Sequence, residues 1–299
     1  MSTASPRIPA LVVSGFLGSG KTTLVRHLLA CAQASGTRVA IVSNEIGELG
    51  VDRALLGGGG EAFVELEGGC VCCELSDDLV TTLQELYERV RPDRIVVETS
   101  GAALPFDTQL NFWREPVSAW MGDDAAVVVV NAEQLLEDRD LEGAFEDQVH
   151  SADLLVLNKV DLVPGGEPAL AALEAKLAAI EPEAPIVRAV QGRVDPDVLF
   201  PPDAGRVDRA GPAPAHEAHA HHHDAFATRV WRVPAALARD ALERELAAVP
   251  GLVRAKGFVA LDGALHVVQV VGRRVEIEPS DAAPPAASIG ALVLITRAA

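Results

Sequence analysis

The stretch Gly15-Phe16-Leu17-Gly18-Ser19-Gly20-Lys21-Thr22 decides the fold. An apolar run from Ala10 to Val13 precedes it and reads as a buried strand. The spacing of Thr23-Leu24-Val25-Arg26-His27-Leu28-Leu29 behind it predicts a helix. Strand, glycine-rich turn, Gly-Lys-Thr and helix together form a phosphate-binding loop in its required context. Glycine lets backbone N–H groups converge on phosphate oxygens with no side chain in the way. The helix N-terminus adds its positive end. The expected nucleotide cradle is Gly15, Gly18, Ser19, Gly20, Lys21, Thr22 and Thr23. Lys21 is expected to reach the β- and γ-phosphates as the catalytic cation, and the Thr22 hydroxyl to hold Mg2+. No second lysine opens the loop, so nothing suggests one donated across a dimer, although a homodimer stays open.

The expected fold is α/β: a P-loop NTPase with a mostly parallel sheet flanked by helices, and a small C-terminal α/β domain. The 299 residues suffice for both. A formal net charge of −18 with no basic run to offset it argues against nucleic acid as a main partner. Apolar runs such as Ala125 to Val130 are too short to span a bilayer, so no membrane partner is expected. Met1 to Arg7 lacks the apolar core of a signal peptide, which predicts a cytoplasmic protein.

Loops after strand ends hold ligands in an open α/β sheet. Arg38 to Ser43 reads as a strand that delivers Asn44-Glu45-Ile46-Gly47-Glu48 to that edge. Glu45 is a candidate to position water or ligate metal, and Glu48 reads equally as part of a solvated acidic loop. Ala62 to Leu66 reads as a short strand running into Glu67-Gly68-Gly69-Cys70-Val71-Cys72-Cys73. Three of the four cysteines are therefore crowded together, which in a cytosolic chain points to metal or redox chemistry. Thiolates select Zn2+, Cu+ or iron–sulfur species. A structural zinc site normally has four ligands in separated pairs, so Cys70, Cys72 and Cys73 suggest an incomplete, exchangeable site. Glu45, a histidine or water would complete it. Buried structural cysteines are the alternative, and such crowding packs poorly. Cys31, near the end of the first helix, reads as a packed or surface residue. Asp77 to Arg91 predicts a helix with Leu79, Leu83, Leu86 and Val90 on one face. The strand from Arg94 to Glu98 then delivers Glu98-Thr99-Ser100-Gly101: Glu98 toward Mg2+ or its waters, and Gly101 toward a γ-phosphate.

Helices are expected over 105–112, 142–151 and 168–180, and buried strands over 125–130, 154–157 and 185–190. Trp113 and Trp120 read as packing residues, and His150 as solvated or packed. The strand ending at Leu157 delivers Asn158-Lys159-Val160-Asp161. A carboxylate there accepts from the N1 and 2-amino donors of guanine, whereas adenine offers an acceptor at N1 and no 2-amino group. Asp161 is thus expected to select GTP, with Lys159 lying along the base and Asn158 in the same motif. Pro201 to Asp224 is rich in Pro, Ala, Gly and His, and carries His216, His219, His221, His222 and His223. It reads as a linker that loads metal loosely, with a neutral spacer as the alternative. Beyond it, strands are expected over 227–233, 253–261, 265–271 and 291–296, with a helix over 234–248 and a hairpin at Asp262-Gly263.

Taken together these motifs resemble the CobW-like metallochaperone GTPases, which include the zinc-regulated GTPase metalloprotein activators. These are relatives of the nickel-insertion GTPases of urease and hydrogenase maturation. The resemblance spans the phosphate loop, Asn44-Glu45-Ile46-Gly47, the cysteine motif, Glu98-Thr99-Ser100-Gly101, Asn158-Lys159-Val160-Asp161, the His-rich linker and the C-terminal domain. Ile46 stands where the family commonly has Phe, and Ala102-Ala103-Leu104 departs from the usual segment. The resemblance implies GTP hydrolysis coupled to Zn2+ or Co2+ at Cys70, Cys72 and Cys73. It also implies delivery to a metalloprotein or metal-cofactor biosynthesis client. It divides the chain into a GTPase domain over 1–200, a linker over 201–224 and a C-terminal domain over 225–299. Two rival readings are a metal store or sensor with structural nucleotide, and an ATP-dependent small-molecule kinase.

Overall fold

The computed structural model describes residues 7–43, 62–65, 75–101, 103–139, 144–202, 226–234, 237–280, 284 and 286–297. The chain divides into two compact units. The larger comprises Ser5–Pro182 and Ile186–Val194, and the smaller comprises Glu183–Pro185 and Asp195–Ala299.

In the larger unit the strands are β1 (Ile8–Ser14), β2 (Val39–Ser43), β3 (Ala62–Glu65), β4 (Arg94–Glu98), β5 (Met121–Asn131), β6 (Leu154–Asn158) and β7 (Ile186–Ala189). They form one sheet in the order β3-β2-β4-β1-β5-β6-β7. Every pairing is parallel. The helices between them are α1 (Lys21–Ser35), α2 (Leu75–Val90), α3 (Pro105–Phe112), α4 (Ala132–Leu136), α5 (Ala144–His150) and α6 (Gly166–Ile180). A parallel sheet covered on both faces needs strands that are apolar throughout. Accordingly β2 and β6 are buried at every position. Leu79, Leu83 and Leu86 of α2 recur at helical spacing and pack on Val12, Val42, Ile95 and Val97. Each such buried leucine contributes about 1.5–3 kcal/mol.

Several expectations change in detail. The central strand begins at Met121, four residues before the apolar run, where Ala10 to Ser14 of β1 supply partners for Asp124 to Val128. Trp120 is packed: its ring stacks on Tyr87 at 4.4 Å and its N–H donates to Gln84 Oε1 at 2.7 Å. Trp113 is not; it is 63% exposed and meets the Phe106 ring edge-on at 6.3 Å. It is the C-cap of α3, one residue past the buried Phe112.

The smaller unit holds α7 (Pro196–Leu199), β8 (Phe226–Arg232), α8 (Arg239–Ala247), β9 (Leu252–Leu261), β10 (Ala264–Val271), β11 (Arg274–Pro279) and β12 (Ala291–Arg297). Its antiparallel sheet runs β11-β10-β9-β12-β8. Asp262 and Gly263 turn the β9–β10 hairpin with φ of 51° and 81°, the left-handed pair that matches strand twist. Leu242 and Leu246 of α8 are buried against Ala255, Val268, Ile277 and Leu294. The helix expected over 234–248 is shorter than its apolar spacing suggests. Leu237 N–H closes a turn on the Pro234 carbonyl at 3.0 Å before α8 begins. No strand was expected at β11, because Arg274-Val-Glu-Ile-Glu-Pro279 offers two apolar residues only. Pairing with β10 makes it a strand, and Ile277 is its buried position.

Candidate functional site

The site is built where β1 ends, between β4 and β5. Each glycine that matters has a steric reason. Gly15 has φ 133°, and a Cβ there would stand 2.2 Å from the Val129 carbonyl oxygen. Gly20 has φ 105°, and its Cβ would stand 2.2 Å from Asn158 Nδ2. Gly20 is also the N-cap of α1 and offers no side-chain cap, and no acid stands in the first turn. The first-turn amides and the positive helix end therefore face the loop without a side-chain cap from the helix itself. Lys21 is 3% exposed, with Nζ 3.4 Å from the Phe16 carbonyl. The Ser19 hydroxyl is buried and has no hydrogen-bond partner among the described residues. Backbone amides, a buried ammonium and an orphaned hydroxyl around one turn fit a polyphosphate.

Beside the loop lies a buried oxygen cluster. Thr22 Oγ1 donates to Glu98 Oε1 at 2.7 Å, and Ser43 Oγ donates to Glu98 Oε2 at 3.4 Å. Glu98 is 0% exposed. Thr22 stands in the first turn of α1, while Glu98 and Ser43 end β4 and β2, which are neighbours in the sheet. Carboxylate and hydroxyl oxygens are the donors a hard cation such as Mg2+ takes. Past Glu98, the Thr99 amide donates to the Val13 carbonyl at 3.0 Å. Gly101 packs so closely on the phosphate loop that a Cβ would lie 3.0 Å from the Leu17 nitrogen.

Asn158 is buried and spans two loops. Its Nδ2 donates to the Ser19 carbonyl at 2.8 Å, and its Oδ1 accepts from the Gly192 amide at 2.9 Å. Lys159 follows in a left-handed conformation with φ 62°, and Asp161 is exposed in a short turn, Val160–Leu162. Sequence reasoning overlooked Gln148, Gly192 and Ser43 as parts of this site. Gln148 of α5 donates through Nε2 to the carbonyls of Gly101 at 2.9 Å and Ala103 at 3.0 Å, pinning the segment after β4. Gly192 has φ 63° and sits against the first turn of α1, where a Cβ would lie 2.7 Å from the Leu24 nitrogen. Its one sequence signal was position, just past the end of β7. His150 is exposed, 3.5 Å from Glu181.

Glu45, Glu48, Cys70, Cys72, Cys73, His216, His219, His221, His222 and His223 lie outside the described residues. Among the described residues no three His, Cys, Asp or Glu side chains converge as a metal centre requires. No helix among them is long and apolar enough to cross a membrane.

The CobW/HypB/UreG nucleotide-binding domain matches residues 9–188, and the cobalamin synthesis protein cobW C-terminal domain matches residues 226–299. A zinc chaperone CobW from Sinorhizobium is 34% identical over 313 residues, covering 90% of this chain and 87% of that protein. The zinc-regulated GTPase metalloprotein activator 1 of Schizosaccharomyces pombe is 34% identical over 207 residues, covering 65% of this chain and 48% of its own length. Among solved structures, the Zn(II)-bound YjiA GTPase from E. coli superposes with a TM-score of 0.52 at 24% identity, over 98% of this chain and 94% of that one. That likeness supports the P-loop fold.

Proposed function

The chain belongs to the CobW/HypB/UreG family of P-loop GTPases, and we propose that it is a GTP-dependent zinc chaperone whose cargo binds at Cys70, Cys72 and Cys73. The observation that carries this reading is the buried Thr22–Glu98 hydrogen bond of 2.7 Å, supported from β2 by Ser43. In this reading Lys21 and the amides from Gly15 to Thr22 hold the triphosphate, and Ser19 gives its hydroxyl to a phosphate oxygen. Thr22 and Glu98 hold Mg2+, which would neutralise charge on the β- and γ-phosphates when bound. Asp161 accepts from the guanine N1 and 2-amino groups, and Lys159 lies along the base. A water attacks the γ-phosphorus and the bond to the bridging oxygen breaks, leaving GDP and phosphate. Glu45 is the residue assigned to orient that water or to ligate the cargo.

Strand order supports the coupling. In the sheet β3 neighbours β2, and β2 neighbours β4. The cysteine motif begins within five residues of the end of β3, Glu45 follows β2, and Glu98 ends β4. Contacts to a γ-phosphate at this edge would favour one arrangement of all three loops, and hydrolysis would relax it. Zinc leads over cobalt because the usual affinity order favours it at thiolates and because the Sinorhizobium relative is a zinc chaperone. The His-rich segment over 201–224 would then hold further metal loosely between a GTPase domain and the C-terminal domain. The client is a metalloprotein or metal-cofactor enzyme.

The test is Zn2+ affinity in the presence of a non-hydrolysable GTP analogue and of GDP, with GTP turnover measured as Zn2+, Co2+ and Ni2+ are added in turn. The wild type should show nucleotide-dependent affinity and metal-dependent turnover, and Cys72→Ser should lose both. Equal affinity in the two nucleotide states ends the coupling, since a ligand shifts only states it discriminates.

A further inference from the structure

Helix α5 touches the phosphate loop and the segment after β4 with two side chains one turn apart. Phe145 and Gln148 lie at i and i+3, so they share a face of the helix. The Phe145 ring meets the Phe16 ring of the phosphate loop at 5.8 Å, tilted by 53°. Gln148 is fully buried and donates to the carbonyls of Gly101 at 2.9 Å and Ala103 at 3.0 Å. Carbonyls only accept, so the end of the amide that faces them is its NH2 group. Among the described residues Gln148 Oε1 has no partner. A buried amide with one end unpaired costs stability, and leucine or methionine would fill the same space without that cost. What Gln148 supplies instead is two N–H donors aimed at one short segment.

Those donors fix the direction of a turn. The Ala103 amide donates to the Ser100 carbonyl at 3.1 Å and closes a turn through Gly101. The peptide joining Ser100 to Gly101 is planar and trans, so the Gly101 N–H points opposite to the Ser100 carbonyl. The Gly101 carbonyl, on the following peptide, is held by Gln148. The Ala103 carbonyl also accepts from Ser14 Oγ at 3.0 Å, and the Thr99 amide is anchored on the Val13 carbonyl. The turn is thus tied to the end of β1 on one side and to α5 on the other. Gln148 is the side chain that holds the peptide after Gly101.

We infer that Gln148 is a positioning residue for GTP: through the turn at Gly101 it sets the preference for a nucleotide with a γ-phosphate. This role rests on the reading in which the triphosphate lies on Gly15 to Thr22 with Gly101 toward its γ-phosphate. In that reading GDP stops at the β-phosphate and does not reach the turn. Loss of the Gln148 donors therefore weakens GTP and spares GDP. A residue that only stabilised the fold would weaken both nucleotides alike.

The test compares the full-length wild type with Gln148→Met, which keeps the length of the side chain and lacks the donors, in the presence of Mg2+. Affinity for a non-hydrolysable GTP analogue should fall about tenfold, the scale of one hydrogen bond to a charged group. GDP affinity should change less than about twofold, because only a ligand that contacts the turn senses its position. The kcat for GTP should fall about tenfold or more, since a displaced contact to the reacting phosphate is lost in the transition state. Gln148→Asn keeps an amide but is one methylene short of the two carbonyls. It should show the same selective loss, and it carries the test where the methionine chain fails to fold. Equal weakening of the GTP analogue and GDP, or no change in either, would overturn the positioning role while the wild type still bound and hydrolysed GTP. A wild type that neither bound nor hydrolysed GTP would overturn the nucleotide reading along with it.

Discussion

Thr22 Oγ1 donates to Glu98 Oε1 at 2.7 Å with both side chains buried, and this bond joins the phosphate loop to the end of β4. A carboxylate taken out of water is costly unless hydroxyls or cations compensate it. Glu98→Gln keeps an oxygen for the Thr22 hydroxyl while removing the charge. The fold should hold, with a melting temperature close to wild type. The Mg2+ concentration for half-maximal GTP turnover should rise, and turnover should fall about a hundredfold, the scale of losing one preorganised charge at a reacting phosphate. Unchanged Mg2+ dependence would remove Glu98 from the cation site.

Asn158 bonds the Ser19 carbonyl at 2.8 Å and the Gly192 amide at 2.9 Å. Asn158→Ala strands both buried groups, which should cost about 2–4 kcal/mol in denaturant unfolding. It also frees the carbonyl that shapes the phosphate loop, so GTP affinity should fall with stability. Asn158→Asp still accepts from Gly192 but sets oxygen against oxygen at Ser19. It should be destabilised as well, and more so as pH rises and the new carboxyl ionises.

What could be read from residues alone follows from where the information resides. β1, β4 and β6 were legible because each is an apolar run that stops at a polar motif, and a parallel sheet puts all those stops on one edge. The Thr22–Glu98 pair was legible in part, since both residues fall in such motifs. Gln148 was not, because α5 holds a buried amide whose partners at Gly101 and Ala103 are 47 and 45 residues away. No local pattern announces that. β11 failed for the opposite reason, as a weak strand pattern that pairing with β10 decides. Trp113 failed because aromatic size argues for burial, whereas its place at the end of α3 argues for exposure.

Gly192 and Gly166 make a controlled comparison. Both have positive φ, 63° and 62°, so alanine costs each about 1–2 kcal/mol of backbone strain. They differ in space. A Cβ at Gly166 meets nothing within 4 Å, whereas one at Gly192 stands 2.7 Å from the Leu24 nitrogen. Gly166→Ala should therefore lose the strain alone and keep GTP binding. Gly192→Ala should lose clearly more stability and weaken GTP as well, because it pushes on the first turns of α1. Equal losses would show that the loop after β7 yields freely.

Arg38 and Asp93 join the start of β2 to the turn before β4. Arg38 NH2 donates to Asp93 Oδ1 at 2.9 Å, Nε to Oδ2 at 3.2 Å, and the Arg38 backbone amide to Oδ2 at 2.9 Å. The guanidinium hydrogen bond holds the Asp93 carboxyl below its ordinary value. A carboxyl lowered on folding stabilises the native state above its unfolded pKa of about 3.9 and loses that contribution as pH falls through the native value. Asp93→Asn should be less stable than wild type at neutral pH, and the difference should close below about pH 4. Both side chains are about half exposed, 48% and 46%, so added salt should shrink it too.

Asp161 is exposed in the turn after β6, so replacing it should leave folding untouched and report on base recognition alone. As a carboxylate it can only accept, which matches guanine N1–H and the 2-amino group. Asparagine keeps one acceptor and gains a donor. It meets N1–H with its oxygen but sets N–H against N–H at the 2-amino group. Two charge-assisted bonds are lost or opposed, and Asp161→Asn should weaken GTP about a hundredfold. Xanthine carries an oxygen where guanine has that amino group, so the same variant should bind xanthosine triphosphate better than wild type does. ATP should bind poorly to both chains. Competition of the three nucleotides against a fluorescent GTP analogue reads all of this. If Asp161→Asn instead left GTP affinity unchanged, or ATP displaced the probe as well as GTP from the wild type, base selection would lie elsewhere and an adenine-nucleotide enzyme would become the better reading of the site.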